Sequence, residues 1–208
     1  MTYQSQLDFR NNLIKSFNGP INYAEIGILQ GNGISSALKV LPKGSSLYLY
    51  DFEPVIRENQ NRFRSYESNY DFHWISSPTK SINTDPLTCI RNAEPRKSYV
   101  WHLLKKSLDE PDFYFHYIVL DGAHEVTIDG AALFVLDTMM REGTYLDTDD
   151  YNWSPSRSPS MGQQQDIKSL FYEEEWNSNP IGLLFDLIKK TNRYEEVKKD
   201  QIWKRVIS

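Results

Sequence analysis

The sequence alternates between short apolar segments and longer amphipathic ones along nearly its whole length. Short apolar segments bounded by turns are typical of strands, and apolar residues spaced three or four positions apart are typical of helices. The predicted strands are 23–28, 46–51, 70–76, 113–120, 143–149, 194–199 and 201–207, and the predicted helices are 3–17, 34–41, 55–65, 98–108, 128–140, 166–175 and 180–191. This alternation predicts a doubly wound α/β fold with a mostly parallel seven-stranded sheet. The last two strands are almost adjacent in sequence, which indicates a C-terminal antiparallel hairpin.

Length, charge and cysteine content narrow the class of protein. The 208 residues suit one domain, predicted as 1–208, with an insertion at 77–112 and a loop at 152–165. A formal net charge of -5 disfavours a protein that grips nucleic acid through its phosphates. The single cysteine, Cys89, excludes an internal disulfide framework and suits a reducing cytoplasm. No apolar run indicates a secretory signal or a membrane span, so we expect a cytoplasmic protein without a membrane partner.

A glycine-rich turn follows the first predicted strand and precedes a predicted helix. Gly27, Gly31 and Gly33 let the backbone approach a ligand closely, and the start of the helix adds free N–H groups. Asp51 ends the neighbouring strand, where a carboxylate can accept both hydroxyls of a ribose. This combination predicts a pocket for a nucleoside-containing cofactor. The alternative is a turn that merely closes a strand–helix unit.

The residues around the turn favour S-adenosylmethionine over a dinucleotide. The dinucleotide fingerprint would need glycine or alanine at Ser36. The tyrosine–lysine spacing of short-chain dehydrogenases occurs only at Tyr194 and Lys198, in the final strand pair. Glu25, two residues before the first glycine, can organise the cationic methionine end of S-adenosylmethionine through water. We therefore assign Glu25, the three glycines, the acid of the second strand and Ser76 to the cofactor pocket.

Carboxylates follow two further strands of the predicted sheet. Asp121 comes directly after the strand at 113–120, and Asp149 and Asp150 come after the next one. Parallel strands place these acids at one edge, where they repel one another unless a cation lies between them. Oxygen ligands without cysteine favour Mg²⁺, Ca²⁺ or Mn²⁺. Asp149 and Asp150 can converge on one ion only if their strand has already ended, and the alternative for them is turn formation.

His124 lies three residues after Asp121 and is suited to accept a proton from a substrate hydroxyl. A metal ion would lower the pKa of the same hydroxyl. The alternative is a loop histidine without a chemical role. Tyr151 and Trp153 begin the polar loop at 152–165, which either covers the substrate or is an ordinary surface loop.

Together these residues resemble the class I S-adenosylmethionine-dependent methyltransferases over nearly the whole chain. Within that superfamily the sequence is similar to the metal-dependent O-methyltransferases of macrolide and aminocoumarin sugars, the macrocin, mycinamicin and novobiocin types. The matching segments are Glu25-x-Gly27-x-x-x-Gly31-x-Gly33, Asp51, Ile118-Val-Leu-Asp121-Gly-Ala-His124 and Glu142-Gly143-Thr144 running into Asp149-Asp150-Tyr151. The family usually has Pro-Gly-Gly at 142–144 and apolar residues where Asp147 lies, and we expect both departures in supporting structure.

The resemblance implies a Rossmann-like methyltransferase fold and a divalent cation, magnesium first, bound by Asp121, Asp149 and Asp150. His124 matches the family members whose base lies three residues after the first aspartate. Other members carry it two residues after, where this chain has Ala123. The implied activity is methylation of a small-molecule hydroxyl, on a sugar or glycoconjugate, by a single chain or a homo-oligomer. The alternatives are a metal-independent N- or O-methyltransferase and a non-catalytic S-adenosylmethionine-binding subunit.

Overall fold

The computed structural model describes residues 3–77, 98–159, 162–169 and 171–207, and there seven strands form one sheet. The strands are β1 Asn22–Ile26, β2 Ser46–Asp51, β3 Asp71–Ser76, β4 Phe115–Leu120, β5 Met140–Asp147, β6 Tyr194–Lys198 and β7 Ile202–Arg205. Their order is β3-β2-β1-β4-β5-β7-β6. The strands from β3 to β5 pair in parallel, and β7 is antiparallel to β5 and β6. The doubly wound fold and the C-terminal hairpin are confirmed.

Helices cover both faces of this sheet. They are α1 Tyr3–Ile14, α2 Asn32–Ala37, α3 Glu53–Phe63, α4 Tyr99–Asp109, α5 Val126–Thr138, α6 Gln165–Lys168, α7 Glu173–Asn177 and α8 Pro180–Lys189. Short 3₁₀ turns occupy Arg64–Tyr66 and Pro155–Arg157. The predicted insertion at 77–112 lies mostly outside the described residues, apart from α4. Within the described ranges, no helix combines the length and the apolar character needed to cross a bilayer.

Successive residues of each central strand pack into two separate hydrophobic clusters, one on each face of the sheet. Tyr23 of β1 packs with α1, α2 and α3, whereas Ala24 packs on the opposite face with α4, α5 and α8. This alternation follows from the pleat, which points successive side chains to opposite faces. A parallel sheet buried on both faces needs apolar residues at successive positions, and the central strands supply them.

The fifth strand begins and ends earlier than the sequence predicts. It starts at Met140 instead of residue 143, and its pairing with β4 shifts register between Phe115 and Tyr117. Gly143, at φ +90°, lies within this stretch. Because the strand ends at Asp147, both acids of the 149–150 pair lie beyond it and are free of the strand's alternation.

The predicted helix at 166–175 is wrong as a single element. α6 ends at Lys168 and α7 begins at Glu173. Between them Phe171 packs against Trp176, with ring centroids 5.5 Å apart, and Trp153 packs against the same indole. Burial of these aromatic rings stabilises a turn where helical spacing alone predicted continuity.

Candidate active site

The carboxyl ends of β1, β2, β4 and β5 meet at one edge of the sheet, and the predicted site residues follow them. This edge is where open α/β sheets bind their ligands. The strands end at Ile26, Asp51, Leu120 and Asp147. The site is therefore assembled from four segments that are distant in sequence.

Gly27 brings the glycine turn into backbone contact with the segment after β4. Its φ is +86°, and a Cβ at this position would lie 1.7 Å from the carbonyl oxygen of Asp121. The amide of Asp121 donates to the carbonyl of Ile26 at 2.9 Å, which fixes the two segments together. A glycine is therefore required here by the packing of the chain against itself.

The other two glycines make room for polar side chains of the protein. A Cβ at Gly31 would lie 2.2 Å from Oδ1 of Asn59, and one at Gly33 would lie 2.2 Å from Oε1 of Glu25. The space that glycine leaves at these two positions, which the sequence analysis assigns to a ligand, is occupied by side chains of the protein. These contacts fix the conformation of the turn in the absence of a cofactor.

Asp51 ties the glycine turn to β2. Its Oδ2 accepts the backbone N–H groups of Ile28 and Leu29 at 2.8 Å each, and its Oδ1 accepts that of Phe52 at 2.6 Å. Burial raises the pKa of Asp51, whereas these N–H groups lower it. Ser76 is the partner of Asp51 in the β2–β3 register, and its exposed side chain hydrogen-bonds Glu53.

Two residues of α3 that the sequence analysis missed also hold the turn. The buried Asn59 donates from Nδ2 to the carbonyls of Leu29 and Val55, at 2.9 Å each. The Arg62 guanidinium donates to the carbonyl of Gln30 and, at 3.2 Å, to Oγ of Ser35. The available sequence signal for this role was the pair of polar residues three positions apart on α3, the helix that follows Asp51.

Glu25 is a buried acid behind the turn. Its side chain accepts a hydrogen bond from the Tyr23 hydroxyl at 2.7 Å. Burial raises the pKa of Glu25 to about 7, against the opposing effects of Arg10 and Tyr23. Asp121 and Asp149 lie close enough to add to the rise. The acids of this edge therefore act on one another electrostatically.

Asp121, His124 and Asp150 converge at the edge of the sheet. Nε2 of His124 lies 3.2 Å from Oδ1 of Asp121 and 2.7 Å from Oδ2 of Asp150. The histidine has a φ of +61°, which turns the chain sharply after β4. Its ring stacks on Trp153, with centroids 5.0 Å apart. Asp121, His124 and Asp150 are all residues that the sequence pattern predicts at the site.

The donor set of these three residues fits a divalent cation. One nitrogen and two carboxylate oxygens lie within 4.8 Å of one another. Ligands about 2.1 Å from a common octahedral ion are about 3.0 Å apart, which falls between the two observed separations. Burial raises the pKa of Asp121 to about 6, a rise that Asp150 reinforces. A cation between the acids would remove this repulsion.

A protonated His124 can satisfy the same two acids without a metal ion. Burial by itself would lower the pKa of His124, but the hydrogen bonds to Asp121 and Asp150 raise it to about 10. An imidazolium that bridges two carboxylates thus supplies the positive charge from the protein itself.

Asp149 does not join this group. Its Oδ1 lies 3.5 Å from Nη2 of Arg10 and 3.3 Å from Nε2 of Gln201. Burial raises the pKa of Asp149 to about 6, an effect that Arg10 opposes and Asp121 reinforces. The placement differs from the ligand set implied by the resemblance, in which Asp149 stands beside Asp121 and Asp150.

A buried ion pair that the sequence analysis missed lies beneath Asp149. Nε of Arg10 is 2.7 Å from Oδ2 of Asp147, which also accepts the Tyr117 hydroxyl at 2.9 Å. Both charged side chains are fully enclosed. Arg10 occupies the apolar stripe of α1, three residues after Leu7 and four before Ile14, and this position was the available signal.

The loop after Asp150 covers one side of the site. Arg157 holds it through bonds to Oγ of Ser154 at 2.8 Å, the carbonyl of Asn152 at 2.9 Å and Oδ1 of Asn179 at 2.7 Å. Tyr151 does not face the site as a substrate contact, because its hydroxyl donates to Asp186 at 2.6 Å and its ring stacks on buried Trp203.

Comparison with known proteins identifies the fold. No protein-family model and no curated protein sequence matches the chain. An O-methyltransferase from Bacillus cereus, solved in complex with SAH, aligns at a TM-score of 0.60 and 15% identity over 99% of this chain and 82% of that one. The SAH-bound methyltransferase PaMTH1 from Podospora anserina aligns at 0.59 and 12%, over 100% and 80%. TomG, an O-methyltransferase from Streptomyces achromogenes involved in tomaymycin synthesis and solved with SAM, aligns at 0.55 and 11%, over 100% and 82%. The chain has the fold of these methyltransferases.

Proposed function

We propose that this protein is an S-adenosylmethionine-dependent O-methyltransferase, assisted by a divalent cation, that acts on a hydroxyl of a sugar or glycoconjugate. The observation that carries the proposal is the convergence of Asp121, His124 and Asp150 beside a preformed glycine turn. The methyltransferases that share the fold support it, since they were solved with SAH or SAM bound.

The cofactor pocket in this proposal is the glycine turn with the acids behind it. Asp51 is the ribose acceptor, and it uses the lone pairs that its three backbone N–H partners leave free. Glu25 provides a carboxyl group for the cationic methionine end. S-adenosylmethionine, when bound, supplies a methyl carbon that exchanges its bond to sulfur for one to the acceptor oxygen, while the hydroxyl proton leaves to a base.

Asp121 and Asp150 hold the cation in this proposal. They offer the hard oxygen donors that magnesium and manganese prefer. A divalent cation, when bound there, lowers the pKa of a hydroxyl that binds it. The two acids also fix the position of His124 through its Nε2.

His124 has two possible roles, and one variant distinguishes them. As the base it accepts the hydroxyl proton at a ring nitrogen, which requires that a cation bound by Asp121 and Asp150 replaces the proton that these acids stabilise on the ring. As a ligand it completes the donor set. The base role predicts that His124→Phe, which offers no ligand atom, abolishes turnover and keeps manganese affinity. The ligand role predicts the loss of both. Titration of Mn²⁺ by electron paramagnetic resonance measures the affinity without turnover.

Trp153 supports a carbohydrate acceptor. Its partly exposed indole covers His124 at 5.0 Å, so an acceptor that reaches this histidine must pass beside an aromatic face. The loop that carries Trp153 is held by Arg157 and also offers polar side chains. An aromatic face with neighbouring hydroxyl and amide groups suits the mixed polarity of a sugar.

A second candidate, a metal-independent methyltransferase, is favoured by a specific observation. Nε2 of His124 already bridges Asp121 and Asp150, and Arg10 already lies against Asp149. The protein itself can therefore neutralise the acids at this edge. In that case Asp121 and His124 would contact the acceptor directly.

Methyl transfer to a panel of hydroxylated sugars and glycosides tests both candidates. Formation of S-adenosylhomocysteine is measured with EDTA, and then after Mg²⁺ or Mn²⁺ is restored. Activity that is lost with EDTA, restored by metal and abolished by Asp121→Asn supports the first candidate. Asp71→Asn, at the far end of β3, is the matched control. Activity unchanged by EDTA supports the second candidate, and activity that survives both Asp121→Asn and His124→Gln contradicts both.

A further inference from the structure

Arg10 brings a permanent positive charge to the edge where the acids gather. Its side chain is 2% exposed, and arginine stays protonated even when buried. Its Nε donates to Asp147, but within the part of the chain that the structure describes its buried Nη2 has no hydrogen-bond partner. That nitrogen lies 3.5 Å from Oδ1 of Asp149, beyond a good hydrogen bond but within an ion pair.

The Nη2 group of Arg10, which lacks a hydrogen bond to any described residue, attracts the carboxylate of Asp149. A buried donor without a partner costs free energy, so the nearest carboxylate is held toward it. Gln201 holds the same carboxylate from another side, with Nε2 at 3.3 Å. Asp149 thus has Arg10 and Gln201 as side-chain partners, whereas Asp121 and Asp150 both contact Nε2 of His124.

We infer that Arg10 withholds Asp149 from the cation, so that Asp121 and Asp150 are the carboxylates that hold the ion, and Asp149 becomes a ligand only when Arg10 no longer holds it. This inference rests on the proposed metal dependence. Arg10 is here a positioning residue, because it acts through Asp149.

Asp147 makes this arrangement possible in the present chain. Buried arginine is costly unless a carboxylate compensates it, and Asp147 does so at 2.7 Å. Asp147 thus fixes the guanidinium at the position from which its Nη2 lies 3.5 Å from Oδ1 of Asp149.

The test replaces the ion pair by neutral side chains. Arg10→Met with Asp147→Asn removes both buried charges and leaves an acceptor for the Tyr117 hydroxyl. The control is Arg205→Met with Asp137→Asn, an arginine–aspartate pair with a contact of 2.6 Å in which the arginine is buried and the aspartate is partly exposed. If the Arg10→Met pair does not fold, Arg10→Gln with Asp147→Asn replaces it, because the two amides can hydrogen-bond each other.

Mn²⁺ affinity is measured by electron paramagnetic resonance in each background, with and without Asp149→Ala. Partners of metal ligands alter metal affinity by about 10- to 100-fold. We expect the Arg10 pair variant to bind Mn²⁺ at least about tenfold more tightly than the unmodified protein. Asp149→Ala should change the affinity less than about threefold in the unmodified protein and weaken it at least about tenfold in the pair variant. The control pair should leave all values unchanged.

Two outcomes would overturn the inference, and they are distinguishable from failure of the proposed function. If Asp149→Ala in the unmodified protein weakens Mn²⁺ binding as much as Asp121→Asn does, Asp149 is already a ligand. If the pair variant binds Mn²⁺ with unchanged affinity, Arg10 exerts no restraint. If neither the unmodified protein nor the pair variant binds Mn²⁺, the proposed metal dependence fails and the inference fails with it.

Discussion

Gly27→Ala would place a methyl carbon 1.7 Å from the carbonyl oxygen of Asp121. The atom that it meets belongs to the backbone, so no side chain can rotate out of the way. The two segments are also joined by the hydrogen bond from the Asp121 amide to the carbonyl of Ile26. Relief of the clash therefore requires the carboxyl ends of β1 and β4 to separate.

Two costs add at this position. A non-glycine residue in the left-handed region costs about 1–2 kcal/mol. Forcing extra atoms into packed structure costs about 1–3 kcal/mol more. Gly143→Ala is the matched control, since Gly143 has a φ of +90° but no atom of the described residues lies within 4 Å of its hypothetical Cβ. It should pay only the first cost, about 1–2 kcal/mol.

Thermal unfolding followed by tryptophan fluorescence measures the difference. For a chain of this size each kcal/mol shifts Tm by about 2–4 °C, so Gly27→Ala should melt several degrees below Gly143→Ala. Binding of S-adenosylmethionine, measured by calorimetry, should be lost in Gly27→Ala and kept in Gly143→Ala. Equal Tm losses for the two variants would refute the argument, because the contact with Asp121 would then carry no cost.

Three further predictions concern the cofactor pocket, the acceptor and the buried acid. Asn59→Ala should weaken S-adenosylmethionine binding in calorimetry, because the carbonyl of Leu29 loses its buried donor; unchanged affinity would show that the turn holds itself. Trp153→Ala should raise KM for a sugar acceptor with little change in cofactor affinity, whereas Trp101→Ala, on an exposed surface, should change neither; equal KM effects would contradict an acceptor wall. Burial raises the pKa of Glu25 from its ordinary 4.5 to about 7, so the folded state keeps a proton that the unfolded state has lost. The contribution of Glu25 to the free energy of unfolding therefore decreases as pH rises from about 4.5 to 7. Glu25→Gln should flatten Tm against pH in that window, and an unaltered profile would place the titration elsewhere.

The fold was predictable because its signals are local. Each central strand is a short apolar run followed by a turn, and the strand–helix alternation limits the topology to few solutions. The failure at 166–175 arose from a tertiary contact, since Phe171 packs against Trp176 and not along a helix. The spacing of apolar residues does not show whether two aromatic rings only five positions apart pack against each other across a break in the helix.

The candidate site was predictable where topology alone brings residues together. Asp121 and His124 follow one strand, and Asp150 follows its parallel neighbour, so a common edge is enough to join them. The position of Asp149 could not be predicted, because it depends on Arg10, which lies far away in the leading helix. An arginine within an apolar stripe signals a buried partner but does not name it.

The Arg10–Asp147 pair also has a consequence for the order in which the elements of the fold assemble during synthesis. The two residues are 137 positions apart in the chain. At about 5–20 residues per second, the arginine leaves the peptidyl transferase centre roughly 7–27 s before its partner is added. During that interval α1 carries a charge that its final place in the core cannot accept alone. We therefore expect α1, although it is synthesised early, to dock late, after β5 is in place, and so to complete the edge that carries the candidate site.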